Sequence, residues 1–192
     1  MENKVVFGLK NVHISKLTEA ESIITYAEPF KLPGAVNLTM DKEGAKTIFR
    51  ADDSDYFKKA LNNGYSGSLE VADVIEKFLT DIFGQYKDAN GALFENADDK
   101  EARFAMMFEI DGDKRKRRIV YYDCLAERPS LEYSTTEQDD VGVKTAKMDI
   151  SISPRSTDRQ VKAVLEASDE NETVFNAFFT QVYEKVNSGS GV

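Results

Sequence analysis

The chain has 192 residues and carries 25 lysines and arginines against 34 aspartates and glutamates, for a formal net charge of −9. This negative charge argues against general affinity for nucleic acid, because phosphates are repelled at long range. The single cysteine, Cys124, excludes an internal disulfide and favours a reducing compartment. No apolar run approaches the roughly 18 residues of a membrane span, and no signal-peptide pattern opens the chain, so we expect a protein made in the cytoplasm without a membrane anchor. We expect one domain at 1–187 and a flexible tail at 188–192.

The first predicted strand changes register within itself. Its apolar residues occupy odd positions up to Leu9 and even positions from Val12 onward. One extra residue near Lys10 and Asn11 restores the alternation, so we predict a β-bulge there.

Several later segments alternate between apolar and polar side chains with period two, which is the pattern of half-buried strands. Residues 35–41 place Val36, Leu38 and Met40 on one predicted face. Residues 68–71 and 147–153 alternate in the same way. Because this period dominates, we predict a mainly β fold.

Two segments follow a helical period instead. Residues 73–83 form one apolar stripe, Asp73 and Glu76 have the spacing of a capping box, and Gly84 suits the C-terminal end. Residues 170–183 repeat the stripe, with Ser168 as a candidate N-cap. The periods therefore predict a mostly antiparallel β domain with two short amphipathic α-helices.

A predicted hairpin over residues 103–126 carries the strongest cationic run. Asp111 and Gly112 lie between two apolar runs, which is a strong hairpin signal. The run follows directly and comprises Lys114, Arg115, Lys116, Arg117 and Arg118. We interpret it as a solvated or interface-pairing hairpin end rather than a nucleic-acid grip, because no aromatic residues are interleaved with the charges.

Metal and nucleophile chemistry find little support in the sequence. His13 is the only histidine and Cys124 the only cysteine, so one chain cannot build a Cys–His zinc site. Neither residues 111–118 nor residues 88–95 have the spacing of an EF-hand loop. A nucleophile pair of Cys124 and His13 is conceivable in space, but a structural role is the commoner one for each residue.

Clusters of carboxylates are the remaining candidates for acid–base chemistry. They are Asp52, Asp53 and Asp55 in one segment and Asp139 and Asp140 in another. In a chain this acidic, a solvated loop is the commoner explanation, and no Gly-rich phosphate loop or nucleophile elbow occurs. We therefore expect no enzyme activity, no cofactor and no metal.

A series of phrases in the chain resembles one protein family. In order they are "VVFGLKNVH", "LPGAVNL", "ADDSDYF", "NNGYSGSLEVA", "GALFENAD", "RFAMMFEIDGD", "RRIVYYDCLAERPS" and "FFTQVY". Together they resemble the major tail protein, or tail tube subunit, of long-tailed non-contractile bacteriophages and their prophage relatives. The resemblance spans nearly the whole chain.

This resemblance implies an antiparallel β-sandwich or barrel-like fold with one or two short flanking α-helices. It also implies a structural role in the virion tail. Six copies would form a ring, and rings would stack into a hollow tube through which DNA passes without specific binding. The implied partners are further copies of the chain and other tail proteins, namely the tape measure, the tail terminator and the distal tail protein. On this basis we expect the cationic run to meet acidic loops of a neighbouring subunit. The subunit-interface candidates are therefore the five cations of the run and the five aspartates of the two carboxylate clusters.

Other functions stay open at the level of sequence. A carbohydrate- or protein-binding β-sandwich, such as a tail-tip or adhesion accessory, would require an exposed aromatic platform, and the lack of tryptophan weakens that reading. A tube protein of a contractile tail or of a secretion machine would share the fold. An enzyme built on carboxylates is the third alternative.

Overall fold

The computed structural model describes residues 8–51, 54–133 and 144–186, with the backbone alone described for residues 46–51 and 54–59. Its strands are β1 (Leu9–Ala20), β2 (Ile23–Tyr26), β3 (Phe30–Lys31), β4 (Ala35–Glu43), β5 (Lys46–Ala51), β6 (Ser54–Ala60), β7 (Gly64–Val71), β8 (Tyr86–Lys87), β9 (Leu93–Phe94), β10 (Phe104–Ile110), β11 (Arg117–Ala126), β12 (Ala146–Ile152) and β13 (Lys162–Glu166). The helices are α1 (Glu76–Asp81) and α2 (Glu172–Asn176), and a 3₁₀ turn follows at Ala177–Phe179. The predicted mainly β fold with two short helices is confirmed.

A nine-stranded antiparallel sheet forms the body of the molecule. Its main order is β2-β1-β10-β11-β12-β7-β4, while β3 pairs with β1 and β13 pairs with β11. The sheet forks at β11, because residues 117–121 pair with β13 and residues 124–126 pair with β12. Two further pairs, β5 with β6 and β8 with β9, form small sheets of their own.

One face of this sheet encloses the first core. The alternating residues of β7 and β12 point into it and are fully buried, as the period-two pattern predicts: Leu69, Val71, Met148, Ile150 and Ile152. Helix α1 adds Phe78 and Ile82. Residues of β1 and β4 contribute to the same core although these strands lie towards opposite ends of the sheet, so the sheet curls into a barrel-like shape.

A second core lies on the outer face of the β10–β11 hairpin. There the buried residues of the hairpin are Ala105, Met107, Val120 and Tyr122. The C-terminal segment covers them with Phe178 and Val182. The hairpin is therefore buried on both faces, and the sequence pattern, which placed a single apolar face on β10, described only one of them.

The predicted bulge in the first strand is confirmed. Pairing of β1 with β10 shifts register between Lys10 and His13, and Asn11 adopts a positive φ of 52°. The side-chain amide of Asn11 donates a 2.6 Å hydrogen bond to Glu109, which fixes the bulge against the neighbouring strand. The bulge places Val12 and Ile14 in the first core.

A second bulge makes the prediction for Val36 wrong. Pairing of β4 with β7 shifts register between Ala35 and Asn37, and Val36 is exposed while Leu38 and Met40 pack against the first core. A bulge inserts one unpaired residue, so the alternation that the sequence shows does not carry through it.

The predicted helix starts are also wrong. Helix α1 is preceded by Ile75 as N-cap without a side-chain hydrogen bond, so Asp73 and Glu76 form no capping box. The N-cap of α2 is Asn171 rather than Ser168, whose backbone N–H instead donates to the Asn171 side chain at 3.0 Å. Both helices are shorter than predicted. Gly84, with φ of 73°, takes the left-handed conformation expected near a helix end.

The chain shows no helix, within the residues described, that is long and apolar enough to cross a membrane.

The second core makes a testable prediction about the C-terminal segment. Phe178 is 2% exposed, whereas Val174, on the preceding helix, is 44% exposed. We expect Phe178→Ala to lower the free energy of unfolding by about 3–5 kcal/mol, because a buried aromatic side chain leaves a cavity. Val174→Ala is the matched control and should change it by less than about 1 kcal/mol. Urea unfolding followed by circular dichroism measures both; equal losses would show that the segment is not packed as described.

Candidate assembly surfaces

The cationic run lies at the turn between β10 and β11 and at the start of β11. Asp113 is the buried centre of this turn. Its carboxylate accepts hydrogen bonds from the backbone N–H groups of Arg115 and Arg117, at 3.1 and 3.3 Å, and from Arg117 Nε at 2.5 Å. The hydrogen bond from Arg117 is the main reason that the pKa of Asp113 lies below its usual range. Arg117 is therefore paired within its own turn.

Arg118 is also held within the chain. Its Nε lies 3.2 Å from Glu109, and one terminal nitrogen donates to the Phe175 backbone carbonyl. The guanidinium lies 3.9 Å from the centroid of the Phe175 ring and 4.8 Å from that of Phe179. These contacts give the arginine charged and aromatic partners together, so it ties the C-terminal segment to β11.

The other three cations of the run are exposed. Lys114 and Lys116 extend from the turn, and Lys116 has a positive φ of 47°. Arg115 lies 3.6 Å from Glu166, with both side chains more than half exposed, so the pair is weak. We call Lys114, Arg115 and Lys116 the basic turn; these are the members of the run that are free to meet another molecule.

The predicted acidic partners fall largely outside the described part of the chain. Asp52, Asp53, Asp139 and Asp140 lie outside the described residues, and Asp55 lies in β6, where the backbone alone is described. Their proposed pairing with the cationic run stays a prediction.

The sheet has open margins. Within the described residues, β2 and β4 each pair on one side and end the strand order. A groove beside β4 is lined by apolar side chains, among them Val36, Leu38, Phe108 and Ile110. Unpaired strand margins with apolar neighbours favour pairing with another chain.

A strand pair projects beyond the sheet as a continuation of β4 and β7. Its neck is closed by hydrogen bonds from Leu61 N to Ala45 O at 3.0 Å and from Asn63 N to Glu43 O at 2.9 Å. Past the neck, β5 and β6 pair with each other. Gly44 is required at the neck, because a Cβ there would lie 1.9 Å from the Leu61 carbonyl oxygen. We call the β5–β6 pair the arm; six to seven residues per strand give it a reach of about 20 Å.

Residues 86–102 contain a second small hairpin, formed by β8 and β9. Tyr86 lies directly opposite Phe94 in this pair, and the two residues are 67% and 53% exposed. Arg128 holds the hairpin from outside through ion pairs with Glu95 at 2.9 Å and Glu101 at 3.8 Å. These exposed rings could not be predicted from the sequence, because a two-residue strand is too short to show a period.

A buried arginine fastens the C-terminal segment on the other side of the second core. Arg155 donates to Asp158 and Glu184, each at 2.6 Å, and lies 4.5 Å from the centroid of the Tyr122 ring. The hydrogen bonds from Arg155 lower the pKa of Asp158. Tyr122 in turn donates a 2.9 Å hydrogen bond to the Tyr183 carbonyl. The contacts of Arg155 and the hydrogen bond from Tyr122 together hold the C-terminal segment on the sheet.

The structure does not bring the two candidate nucleophilic-pair residues together. Cys124 is fully buried in the first core, and burial raises the pKa of its thiol. His13 points to the other side of β1, where its ring stacks on Phe179 with centroids 4.6 Å apart. Within the described ranges, no three histidine, cysteine, aspartate or glutamate side chains lie close enough to hold a metal ion.

Comparisons with known proteins give a distant likeness. No protein-family model matches the chain, and no curated protein matches it. Among solved structures it is similar to a chain of the anti-feeding prophage cap, the tube-terminating cap, at 7% identity and a TM-score of 0.47 over 87% of this chain and 95% of that one. It is also similar to a chain of the six-fold symmetrised anti-feeding prophage baseplate, at 11% identity and a TM-score of 0.39 over 86% and 97% of the two chains. At these values the likeness assigns neither a family nor a function.

Asp113 makes the stability of the turn dependent on pH. A carboxyl group whose pKa is lowered by folding stabilises the fold above its unfolded pKa of about 3.9 and stops doing so as the pH falls through the folded value. We expect Asp113→Asn to be less stable than the wild type at neutral pH, with the difference narrowing below about pH 4. Thermal unfolding across this range measures it, with the exposed Asp111→Asn as control. A difference that is constant with pH would contradict the proposed role of the Asp113 charge.

Cys124 gives a chemical test of the first core. Because its thiol is buried and its pKa is raised, the thiolate that reacts with disulfide reagents is scarce and inaccessible. We expect no reaction with Ellman's reagent at mildly alkaline pH in the native protein, and full reaction in denaturant. Rapid labelling of the native protein would show that the first core opens readily.

Proposed function

We propose that the chain is a structural subunit of a phage tail tube, which assembles with copies of itself into rings that stack into a hollow conduit for DNA. The observation that carries the proposal is the arm. A two-stranded hairpin that pairs with no third strand is marginal in water and gains stability when another surface covers it. A projecting arm of this kind suits a protein that assembles with its copies, because a neighbouring copy can cover the arm.

The open margins of the sheet support the same proposal. A curled sheet with free strands at both ends exposes backbone donors and acceptors that would pair with those of other chains. Joining such sheets from several copies into one continuous barrel removes every margin at once. The ordered phrases that resemble tail tube subunits point to the same kind of assembly.

The net charge of −9 per chain fits passage of DNA without binding. A lumen with a negative potential would repel phosphates and let the genome slide. We propose no catalytic activity, since Cys124 is buried in the first core while His13 stacks on Phe179 on the other side of β1.

A binding module is the second candidate, and the exposed Tyr86 and Phe94 rings favour it. Paired aromatic side chains on a surface are the platform that carbohydrate or protein ligands stack on. The two functions differ in their behaviour in solution, because a binding module remains a monomer at concentrations at which a tube subunit assembles.

Assembly of the purified protein tests the proposal. We expect the wild-type protein to form six-fold rings or tubes by negative-stain electron microscopy. An arm-deleted variant, in which a short Gly-Ser linker replaces residues 46–59, should remain largely monomeric in sedimentation velocity. Circular dichroism of that variant should show a folded sheet, because β5 and β6 pair with each other and not with a strand of the nine-stranded sheet. A wild-type protein that stays monomeric at high concentration, or an arm-deleted variant that forms normal tubes, would contradict the proposed function.

A further inference from the structure

The β8–β9 hairpin presents an aromatic and acidic surface that the rest of the described chain does not cover. Tyr86 and Phe94 are directly opposite each other and mostly exposed. Residues 85–102 around them contain five acidic and two basic residues. We call this segment, residues 85–102, the acidic hairpin.

Some of these charges are already paired within the chain. Lys87 lies 2.7 Å from Glu76, and Arg128 holds Glu95 and Glu101. The acids beyond these pairs are Asp88, Asp98 and Asp99, of which Asp98 is exposed and the other two are partly buried. The surface next to the exposed rings therefore keeps a negative charge.

The basic turn has the complementary character. Lys114, Arg115 and Lys116 are exposed, and the buried Asp113 beside them is already bound by Arg117. Glu166, Asp169 and Glu172 line a groove together with these cations, and Glu166 lies 3.6 Å from Arg115. Cations attract carboxylates and also favour the faces of aromatic rings. The basic turn thus fits both features of the acidic hairpin.

The two surfaces lie at opposite ends of one strand. The acidic hairpin leads into the first residue of β10, Phe104, and the basic turn follows the last, Ile110. The contacts of Arg128, just past the end of β11, place the hairpin at that same end of the β10–β11 pair. Seven residues of strand separate the surfaces by about 20 Å, so they cannot reach each other within one chain.

We infer that the acidic hairpin of one copy docks the basic turn of a second copy in a head-to-tail contact. This inference rests on the proposed self-assembly and names the residues that carry one of its interfaces. A contact between two different surfaces of the same chain leaves one of each free, so the contact repeats from copy to copy. The acidic surface in this contact is the 85–102 segment, which is distinct from the two acidic clusters that the sequence analysis named.

The test is a charge reversal with rescue. The basic variant carries Lys114→Glu and Lys116→Glu, and the acidic variant carries Asp98→Lys and Asp99→Asn. Asparagine at 99 keeps an oxygen for the hydrogen bond that Asp99 accepts from Asn96 N. Each variant should raise the concentration needed for half-maximal assembly roughly tenfold or more, and the combination of both should bring it back towards the wild-type value.

A matched control separates the contact from net charge. Lys147→Glu with Lys185→Glu makes the same change in charge at two exposed lysines elsewhere, and should leave assembly near the wild-type level. A further variant, Tyr86→Ser with Phe94→Ser, should weaken assembly without changing charge. Sedimentation velocity and negative-stain microscopy measure the wild type and all five variants at one ionic strength, since exposed charge pairs weaken with salt.

The outcomes distinguish the inference from the proposed function. If the wild type assembles and the basic and acidic variants assemble equally well, the head-to-tail contact is wrong and the tube proposal stands. If the control variant fails as badly as the basic variant, net charge explains the loss and the contact is again wrong. If the wild type does not assemble at all, the proposed function falls, and the contact falls with it.

Discussion

Burial of the β10–β11 hairpin on both faces is the constraint on which the rest of the fold depends. Its inner side chains need α1 and the curled sheet, and its outer side chains need the C-terminal segment. The outer cover is secured by two cations, since Arg118 and Arg155 each combine a carboxylate with an aromatic ring. At the far end of the hairpin, Asp123 is buried and paired with Arg103, which also holds Glu19 at 2.8 Å. A hairpin fixed in this way is a rigid element of the fold.

Because the β10–β11 hairpin is rigid, its two ends have definite positions. One end carries the basic turn, ordered by Asp113, and the other end lies beside the acidic hairpin, held by Arg128. Exposed charges on flexible loops lose much of their attraction to the entropy of ordering the side chains and backbone. Here the turn and hairpin are ordered before any partner arrives, so less of that entropy remains to be lost on association.

The sequence predicted the parts of the fold that follow a local period, and little else. The strands β7 and β12 and the bulge near Asn11 were predictable because one buried face imposes strict alternation. The exposure of Val36 was not, since a bulge in β4 breaks the alternation without changing the residue pattern. In the candidate site, the division of the cationic run into paired and exposed members depends on Glu109, the cross-strand partner of Arg118 in the hairpin, and on Phe175. Phe175 is 57 positions from Arg118 in the sequence and meets it only in the fold.

The division of the cationic run gives its five members two different roles. Alternation along β11 sends Arg118 to the outer face, where the aromatic residues of the C-terminal segment lie, while Arg117 turns back to Asp113. The three cations before them stand on the turn itself, where strand alternation no longer applies and side chains point to solvent. Cations that stabilise the fold are thus separated by backbone geometry from cations that are free for a partner. If β11 began three residues earlier, at Lys114, the whole run would lie in the strand, and if it began at Ile119 the whole run would lie in the turn. The position of the turn therefore decides how much charge the molecule offers to its neighbours.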